Sequence, residues 1–360
     1  MSLTEKVKAF IRPEIQALSA YHVPDSGEMI KLDAMENPYR WPDELVDQWL
    51  DVIRDVELNR YPDPSARVLK QHLRESMDVP AEAEILLGNG SDELIQMIMM
   101  AMSGKERTVL SVEPGFVMYK MIATFMAMPY IGVPLNDDFS LDETALLNKI
   151  KETQPAVIFL AYPNNPTSNL FDEQTIRKII TAAPGVVVID EAYHAFANNS
   201  FMPMLNDYDN LLVMRTVSKM GLAGLRLGLL AGKADWLNEF DKVRLPYNIN
   251  ILTQASAEFA IKNRQVLDQQ TQQICVDRER LFKALSQIDN ITAYPSQANF
   301  ILVRVESGQV DNIFNALKEQ GVLIKNLNPA GGLLANCLRI TVGTETENQT
   351  LLESFKKALQ

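Results

Sequence analysis

Residues 218–228 place a lysine where it could form a Schiff base with an aldehyde. Lys219 follows a β-rich run and precedes a stretch of Gly, Ala and Leu, and Arg226 comes seven residues later. A partly desolvated lysine has a lowered pKa, which leaves its amine free to attack a carbonyl carbon. A lysine taken alone is far more often a solvated surface group. The prediction of an aldehyde cofactor therefore depends on polar residues elsewhere in the chain.

Asp190 is the first of these residues, because it ends the apolar run 185–189. A carboxylate at the end of a central strand is costly to bury unless a cation pairs with it. A protonated pyridine nitrogen is such a cation, and a ring kept charged in this way is an electron sink for a carbanion. Tyr193 and the amide of Asn165 could hold an oxygen of the same ring. Asp190 alone could also be a helix N-cap.

A phosphate site is predicted at residues 88–93, a glycine-bearing turn between a strand and a helix. The amides of Ser91 and Asp92 would point at an anion there, and Ser218 and Arg226 would add a hydroxyl and a guanidinium. The turn lacks the third glycine of a dinucleotide fingerprint and the lysine of a P-loop.

Two further side chains could contact a ligand. Phe116 could lie flat against a cofactor ring, although a core aromatic is nearly as good an interpretation. Arg339 lies in an apolar strand, where a guanidinium requires a carboxylate or phosphate partner.

Composition excludes several classes of protein. The chain has 360 residues, 47% of them hydrophobic, and a formal net charge of -12. We find no basic stripe for a nucleic acid, and no apolar segment long enough for a membrane span or a secretion signal. Two cysteines and three histidines without a CxxC pair argue against a metal site or a disulfide framework. The default location is a reducing cytoplasm.

Short β-rich runs alternate with helical stretches from about residue 80, which predicts an α/β fold with a mostly parallel sheet covered by helices. The predicted strands of this sheet are 84–87, 108–112, 156–161, 186–190, 211–216 and 227–231. The predicted helices or turns are 92–102, 117–126, 172–181 and 206–210. A long helical region at 254–287 precedes strands at 300–305, 322–325 and 337–341 and helices at 310–320 and 348–359. We predict an N-terminal arm (1–35) that packs near the small domain, a large cofactor-binding domain (36–247) and a small α+β domain (248–360).

Together these motifs resemble the fold-type I pyridoxal-phosphate-dependent aminotransferases of class I/II, and within that family the transaminases of histidinol phosphate. Residues 31–39, 59–62, 297–300 and 338–343 add to the resemblance, which covers nearly the whole chain. It implies pyridoxal 5'-phosphate as cofactor and an obligate homodimer with two shared sites.

The resemblance also implies a role for each motif residue. Lys219 would form the internal aldimine and then move the proton of the substrate α-carbon. Asp190 would pair with the pyridine nitrogen, while Asn165 and Tyr193 would hold the ring oxygen. The cofactor phosphate would be bound by Ser91, Asp92, Ser218 and Arg226, and by Tyr61 of the second subunit. Substrate contacts would come from Arg339, which would clamp the glutamate carboxylate, and from Tyr21, Lys325 and Asn37.

The sequence departs from the family pattern at two positions. Ser168 stands where the family usually has glycine, a change that should leave the Asn165 contact intact. Lys325 stands where an arginine commonly meets the substrate phosphate, and lysine offers a point charge without a bidentate fork.

Several reactions are compatible with these residues. The first hypothesis is transamination between L-glutamate and imidazole-acetol phosphate, a step of histidine biosynthesis. A decarboxylase of an O-phosphorylated amino acid and an aromatic or broad-range aminotransferase are alternatives. A cofactor-binding regulator is disfavoured, because the predicted site is intact and no basic helix-turn-helix segment precedes residue 30.

Overall fold

A seven-stranded sheet forms the centre of the larger part of the protein. The computed structural model describes residues 1–20, 23–104 and 106–359. The strands are β1 (Ile30–Lys31), β2 (Glu84–Asn89), β3 (Val109–Glu113), β4 (Tyr130–Pro134), β5 (Val157–Ala161), β6 (Val186–Asp190), β7 (Leu211–Thr216), β8 (Leu227–Gly232), β9 (Ile291–Ala293), β10 (Phe300–Val305), β11 (Val322–Leu323), β12 (Lys325–Asn326) and β13 (Cys337–Thr341). The large sheet has the order β2-β8-β7-β6-β5-β3-β4.

Helices cover both faces of this sheet and complete the smaller part. They are α1 (Leu3–Phe10), α2 (Pro13–Gln16), α3 (Asp43–Arg54), α4 (Arg67–Ser76), α5 (Gly90–Met102), α6 (Val117–Phe125), α7 (Glu143–Thr153), α8 (Glu173–Ala182), α9 (Ala234–Asp241), α10 (Ile251–Lys262), α11 (Arg264–Leu285), α12 (Val310–Glu319) and α13 (Glu345–Ala358). None of those in the described residues has the length and apolarity needed to cross a bilayer.

The large sheet is mostly parallel, as predicted. Strands β4, β3, β5, β6 and β7 run parallel to one another, whereas β8 is antiparallel to both β7 and β2. The central strands are almost wholly apolar because both faces are covered. In β6, Val187 and Ile189 enter the core on one face, and Val186 and Val188 enter the core on the other. Asp190 is the last residue of β6 and therefore lies at the carboxyl end of a buried strand.

The smaller part contains an antiparallel sheet with the order β12-β13-β10-β9. Its core joins Phe300 of β10 to Leu281 of α11, Leu317 of α12 and Phe355 of α13. The N-terminal segment contacts both parts, since β1 pairs in parallel with β11 and Arg12 Nη2 donates to the carbonyl of Phe125 in α6 at 2.6 Å. The three-part division of the chain stays a prediction.

Every strand predicted for the large sheet is present, and β6 and β7 have the predicted bounds. The elements that were not predicted are the strands β1, β4 and β9 and the helices α1, α2, α3, α4, α7 and α9. The helical region at 254–287 is two helices, α10 and α11, which meet at Asn263. The prediction of one strand at 322–325 was wrong in detail, because β11 pairs with β1 while β12 pairs with β13.

Candidate active site

A cavity lies where strands β5, β6 and β7 end. It encloses about 570 Å³ of empty space, open solvent included. The residues that line it are Met35, Ser91, Asp92, Phe116, Ala161, Asn165, Asp190, Ala192, Tyr193, Thr216, Ser218, Lys219 and Arg226. The carboxyl edge of a parallel sheet is the expected place for a ligand in an α/β fold.

Asp190 reaches this cavity with its carboxylate buried, at 3% residue exposure. Its Oδ2 accepts a hydrogen bond from Tyr119 Oη at 2.7 Å, and its Oδ1 accepts one from the amide of Ala192 at 3.1 Å. Burial raises the pKa of Asp190 to about 6, although both hydrogen bonds oppose the rise. Within the described residues no lysine, arginine or histidine forms an ion pair with it. A cation in the cavity would therefore stabilise this carboxylate.

Lys219 lies in a short 3-10 turn, Ser218–Met220, directly after β7. Its side chain is half-buried, and Nζ donates to the carbonyl of Ala34 at 3.3 Å. Burial, and after it the nearby Arg339 guanidinium, lower the pKa of Lys219 to about 8. A substantial fraction of the amine is thus neutral near physiological pH, as attack on an aldehyde requires.

Asn165, Tyr193 and Arg339 form a chain of hydrogen bonds at the side of the cavity. Asn165 Nδ2 donates to Tyr193 Oη at 3.0 Å, and Arg339 Nη1 donates to Asn165 Oδ1 at 2.7 Å. Arg339 Nη2 donates to the carbonyl of Asp33 at 2.9 Å, and its guanidinium lies 5.4 Å from the centroid of the Phe300 ring. The structure therefore brings the predicted carboxylate clamp next to the predicted ring contacts.

The amino end of α5 lies at one end of the cavity, where Ser91 and Asp92 line it. Helix α5 begins at Gly90, so the amides of its first turn have no partner within the helix. Gly90 has φ +75°, and a Cβ there would lie 2.7 Å from Arg226 Nη2. Arg226 Nη2 lies 3.3 Å from Asp92 Oδ2. The left-handed backbone conformation explains why a glycine occupies position 90.

Ser218 is held at the same end by Thr216. The two hydroxyl oxygens lie 2.9 Å apart, and the amide of Ser218 donates to Thr216 Oγ1 at 3.1 Å. Both side chains are buried and both line the cavity. Thr216 thereby fixes the rotamer of Ser218.

The remaining predicted residues lie at different distances from the cavity. Phe116 lines it and meets the Tyr119 ring edge-on at 5.4 Å. Asn37 does not line it, and its Nδ2 instead donates to the carbonyl of Met220 and to Gln270 Oε1. Lys325 is half-buried on β12, in register with Arg339 of β13.

Two predicted tyrosines are not part of the cavity that the structure describes. Tyr61 is 79% exposed, and its ring stacks on that of Tyr247 with centroids 4.4 Å apart. Tyr21 lies outside the described residues. Tyr61 thus lies on the surface of the described chain.

Ser168 has a backbone conformation that explains the family's usual glycine. It is fully buried with φ +61°, in the left-handed region. Asn165 nevertheless keeps its hydrogen bond to Tyr193. The serine is therefore accommodated without loss of that contact.

Sequence reasoning missed three residues of the site. Tyr119 contacts Asp190 directly, Thr216 fixes Ser218, and Met35 lines the cavity with φ +52°. Tyr119 lies one helical turn after Phe116 on α6, so helical spacing could have suggested that both face the same ligand. Met35 belongs to the segment 31–39 that contributed to the family resemblance.

Comparison with known proteins gives consistent results. Residues 27–355 match the family described as aminotransferase class I and II. The chain is 56% identical over 352 residues to histidinol-phosphate aminotransferase 2 of Nitrosococcus oceani, with 98% of each chain covered.

Two solved structures share the fold. The histidinol-phosphate aminotransferase of Sinorhizobium meliloti in complex with pyridoxal-5'-phosphate has a TM-score of 0.86 at 23% identity and covers 98% of both chains. The L-threonine-O-3-phosphate decarboxylase of Porphyromonas gingivalis has a TM-score of 0.79 at 21% identity, over 92% of this chain and 99% of that one. The family match and the full-length similarity confirm the resemblance found in the motifs, and the chain belongs to the class I and II aminotransferases.

Proposed function

We propose that this protein transfers the amino group of L-glutamate to imidazole-acetol phosphate, giving L-histidinol phosphate and 2-oxoglutarate, with pyridoxal 5'-phosphate as cofactor. The observation that carries the proposal is that one cavity holds a lysine of lowered pKa and a buried carboxylate with which no cation of the described residues forms an ion pair. The reaction is the one named for the full-length relative at 56% identity. The proposal places the protein in histidine biosynthesis.

The residues of the cavity fit this cofactor. Asp190 would pair with a protonated pyridine nitrogen, which replaces the missing cation. The amides that begin α5, together with the Ser218 hydroxyl and Arg226, would hold the phosphate. Asn165 and Tyr193 would hold the ring oxygen, and their mutual hydrogen bond already orients them. Phe116 would lie against the ring face.

When bound, the cofactor supplies an aldehyde carbon and an electron-withdrawing ring. Lys219 would hold the cofactor through Nζ and would accept the proton of the substrate α-carbon at the same atom. A pKa of about 8 suits this task, since a base works best with a pKa near the working pH. Asp190 would keep its charge because its two hydrogen bonds and the ring cation all favour the ionised form.

Substrate contacts are proposed at the side of the cavity that faces the four-stranded sheet of the smaller part. Arg339 would bind the carboxylate of glutamate, since it already reaches Asn165 beside the cavity. Lys325 would approach the substrate phosphate, because it lies opposite Arg339 on the adjacent strand. Asn37 would contribute to substrate binding from a position beside Lys219, because its Nδ2 donates to the carbonyl of Met220. Tyr21 would close over the substrate.

The working unit would be a cytoplasmic homodimer with two shared sites. The exposed Tyr61 of each subunit would reach the cofactor phosphate in the other. The stacking of Tyr61 on Tyr247 supports this proposal, because it holds an exposed ring in one orientation. The cytoplasm is the proposed location because the relatives are biosynthetic enzymes.

The test is the visible absorption of purified holoenzyme during addition of histidinol phosphate and then 2-oxoglutarate. We expect the cofactor band to bleach with the first substrate and return with the second, while glutamate accumulates. Lys219→Ala is the control, and its band should not cycle.

Other outcomes would identify a different reaction. If the cofactor band does not bleach with histidinol phosphate but bleaches with aromatic amino acids, the protein is an aromatic or broad-range aminotransferase. Release of carbon dioxide from an O-phosphorylated amino acid would indicate a decarboxylase of the same fold.

A further inference from the structure

A buried ion pair lies behind the cavity, on the two segments that carry its reactive groups. Glu191 directly follows Asp190, and Arg215 precedes Lys219 by four residues. The Glu191 side chain is 0% exposed and that of Arg215 is 7% exposed. Arg215 Nη2 and Nε lie 2.8 and 2.9 Å from Glu191 Oε2. Neither side chain lines the cavity.

Further hydrogen bonds fix the geometry of this pair. Glu191 Oε1 accepts from the amide of Phe201 at 2.6 Å, and Arg215 Nη1 donates to the carbonyl of Met77 at 2.7 Å. The Ser200 hydroxyl bridges the two charges, since it accepts from Arg215 Nη2 at 2.8 Å and donates to Glu191 Oε2 at 2.9 Å. A fully bonded buried network of this kind is rigid.

The pair spans the point where the ladder between β6 and β7 stops. The last paired residues are Asp190 and Met214, and the amide of Glu191 donates to the Met214 carbonyl at 2.8 Å. Beyond that point the two strands lead into separate segments, of which one carries Tyr193 and the other carries Lys219. Side chains alternate along an extended chain, so the charges of Glu191 and Arg215 face away from the cavity that Asp190 and Thr216 line.

Stability alone is a poor reason for such a pair, because apolar residues of similar size usually stabilise a core as well or better. We propose that Glu191 and Arg215 are positioning residues that fix Asp190 relative to Lys219. This inference rests on the proposed function, in which one ring contacts both residues. A small displacement of a reacting group is enough to reduce a rate strongly.

The test uses three variants of the holoenzyme. The double variant Glu191→Gln with Arg215→Met removes both charges, yet leaves an oxygen for the Phe201 amide and an NH₂ for Ser200. Ser200→Ala removes only the bridging hydroxyl. Asn210→Ala is the matched control, because Asn210 directly precedes β7 and its Nδ2 donates to the carbonyls of residues 180, 183 and 185, which lie between the last turn of α8 and the amino end of β6.

The expected result is a change in the site without a matching loss of stability. The double variant should bind a full complement of cofactor and unfold no earlier than Asn210→Ala. Its kcat should fall about tenfold or more while the KM for glutamate changes less than about threefold. The pH midpoint of the visible absorbance of the bound cofactor should move by about 0.5 or more, because this midpoint depends on the distance between Asp190 and Lys219. Ser200→Ala should change kcat in the same direction by about two- to fivefold.

The inference is wrong if the double variant matches wild type in kcat and pH midpoint, or if Asn210→Ala shows the same changes. If the double variant does not fold, Ser200→Ala decides: a kcat and pH midpoint equal to those of wild type would then refute the inference. The pH midpoint needs no substrate, so this inference can fail while the transamination stands. Conversely, if histidinol phosphate does not change the cofactor absorbance of the wild-type enzyme, the proposed substrate is refuted. The comparison of pH midpoints between the variants stays valid in that case.

Discussion

The carboxylate of Asp190 should reduce the stability of the cofactor-free protein, and the variant Asp190→Asn measures by how much. Burial raises the pKa of this group from 3.8 to about 6, so the unfolded chain ionises it more readily than the folded chain does. The folded state is therefore penalised increasingly as pH rises from 3.8 to 6, and fully above that range. A difference of about 2 pKa units corresponds to about 3 kcal/mol.

Asparagine has nearly the same shape as aspartate and no charge, but it cannot keep both hydrogen bonds of Asp190. The loss of one bond offsets about 1 kcal/mol of the gain. At pH 8 we expect cofactor-free Asp190→Asn to be more stable than wild type by about 2 kcal/mol. Between pH 5 and pH 8 the difference in free energy of unfolding between Asp190→Asn and wild type should grow by about 1.5 kcal/mol. Packing differences between the two proteins do not depend on pH, so they do not contribute to this change.

The assay is urea unfolding of both cofactor-free proteins at one fixed protein concentration, because an oligomer's stability depends on concentration. With saturating pyridoxal 5'-phosphate the order should reverse, since only the carboxylate gains a cationic partner. The reasoning is refuted if cofactor-free Asp190→Asn is less stable than wild type at pH 8, or if the difference does not change with pH.

Four further predictions concern single side chains. Lys219→Ala should lower turnover about a thousandfold or more while the cofactor still binds non-covalently, as dialysis and absorbance would show; retained multiple turnover would contradict the mechanism. Tyr119→Phe removes a hydrogen bond to the carboxylate of Asp190 and should weaken cofactor binding about tenfold by titration, and an unchanged affinity would exclude Tyr119 from the site. Tyr61→Phe should weaken cofactor retention about tenfold, whereas an active protein that sediments only as a monomer would rule out the shared site. Ser168→Gly should raise the free energy of unfolding by up to about 1 kcal/mol, because φ +61° is strained for serine, with kcat unchanged; a lower stability would show that the hydroxyl matters more than the strain.

The predictable part of the fold is the part that is buried on both faces. Strands β6 and β7 were predicted with their bounds because a continuous run of Val, Leu and Ile between polar residues has few other interpretations. Strand β4 was missed because it is an edge strand that contains Gly132 and ends at Pro134, residues that a central strand would exclude. Helix α7 was missed although Asp142 caps it through the amide of Ala145.

The site was predictable where a residue is adjacent in sequence to the end of a strand. Asp190 and Lys219 satisfy that condition, and the structure places both in one cavity. Tyr119 does not, because its role depends on a hydrogen bond to a residue 71 positions away. The link between Arg339 and Asn165 spans 174 positions, and only the packing of the small sheet against the large one creates it.

The two central residues of the site explain why this cavity should bind its cofactor tightly. The penalty of the Asp190 charge is full above pH 6. Burial lowers the pKa of Lys219 to about 8, so the penalty of the Lys219 charge is full below pH 8. Between pH 6 and pH 8 the cofactor-free protein therefore carries both penalties at once. A ligand with a cationic ring nitrogen and an aldehyde would relieve both, since it would give the carboxylate a partner and would take up the Lys219 amine after loss of its proton, with release of water. Relief of these two penalties adds to the binding of the phosphate, so cofactor binding should stabilise the fold by more than the phosphate contacts alone would provide.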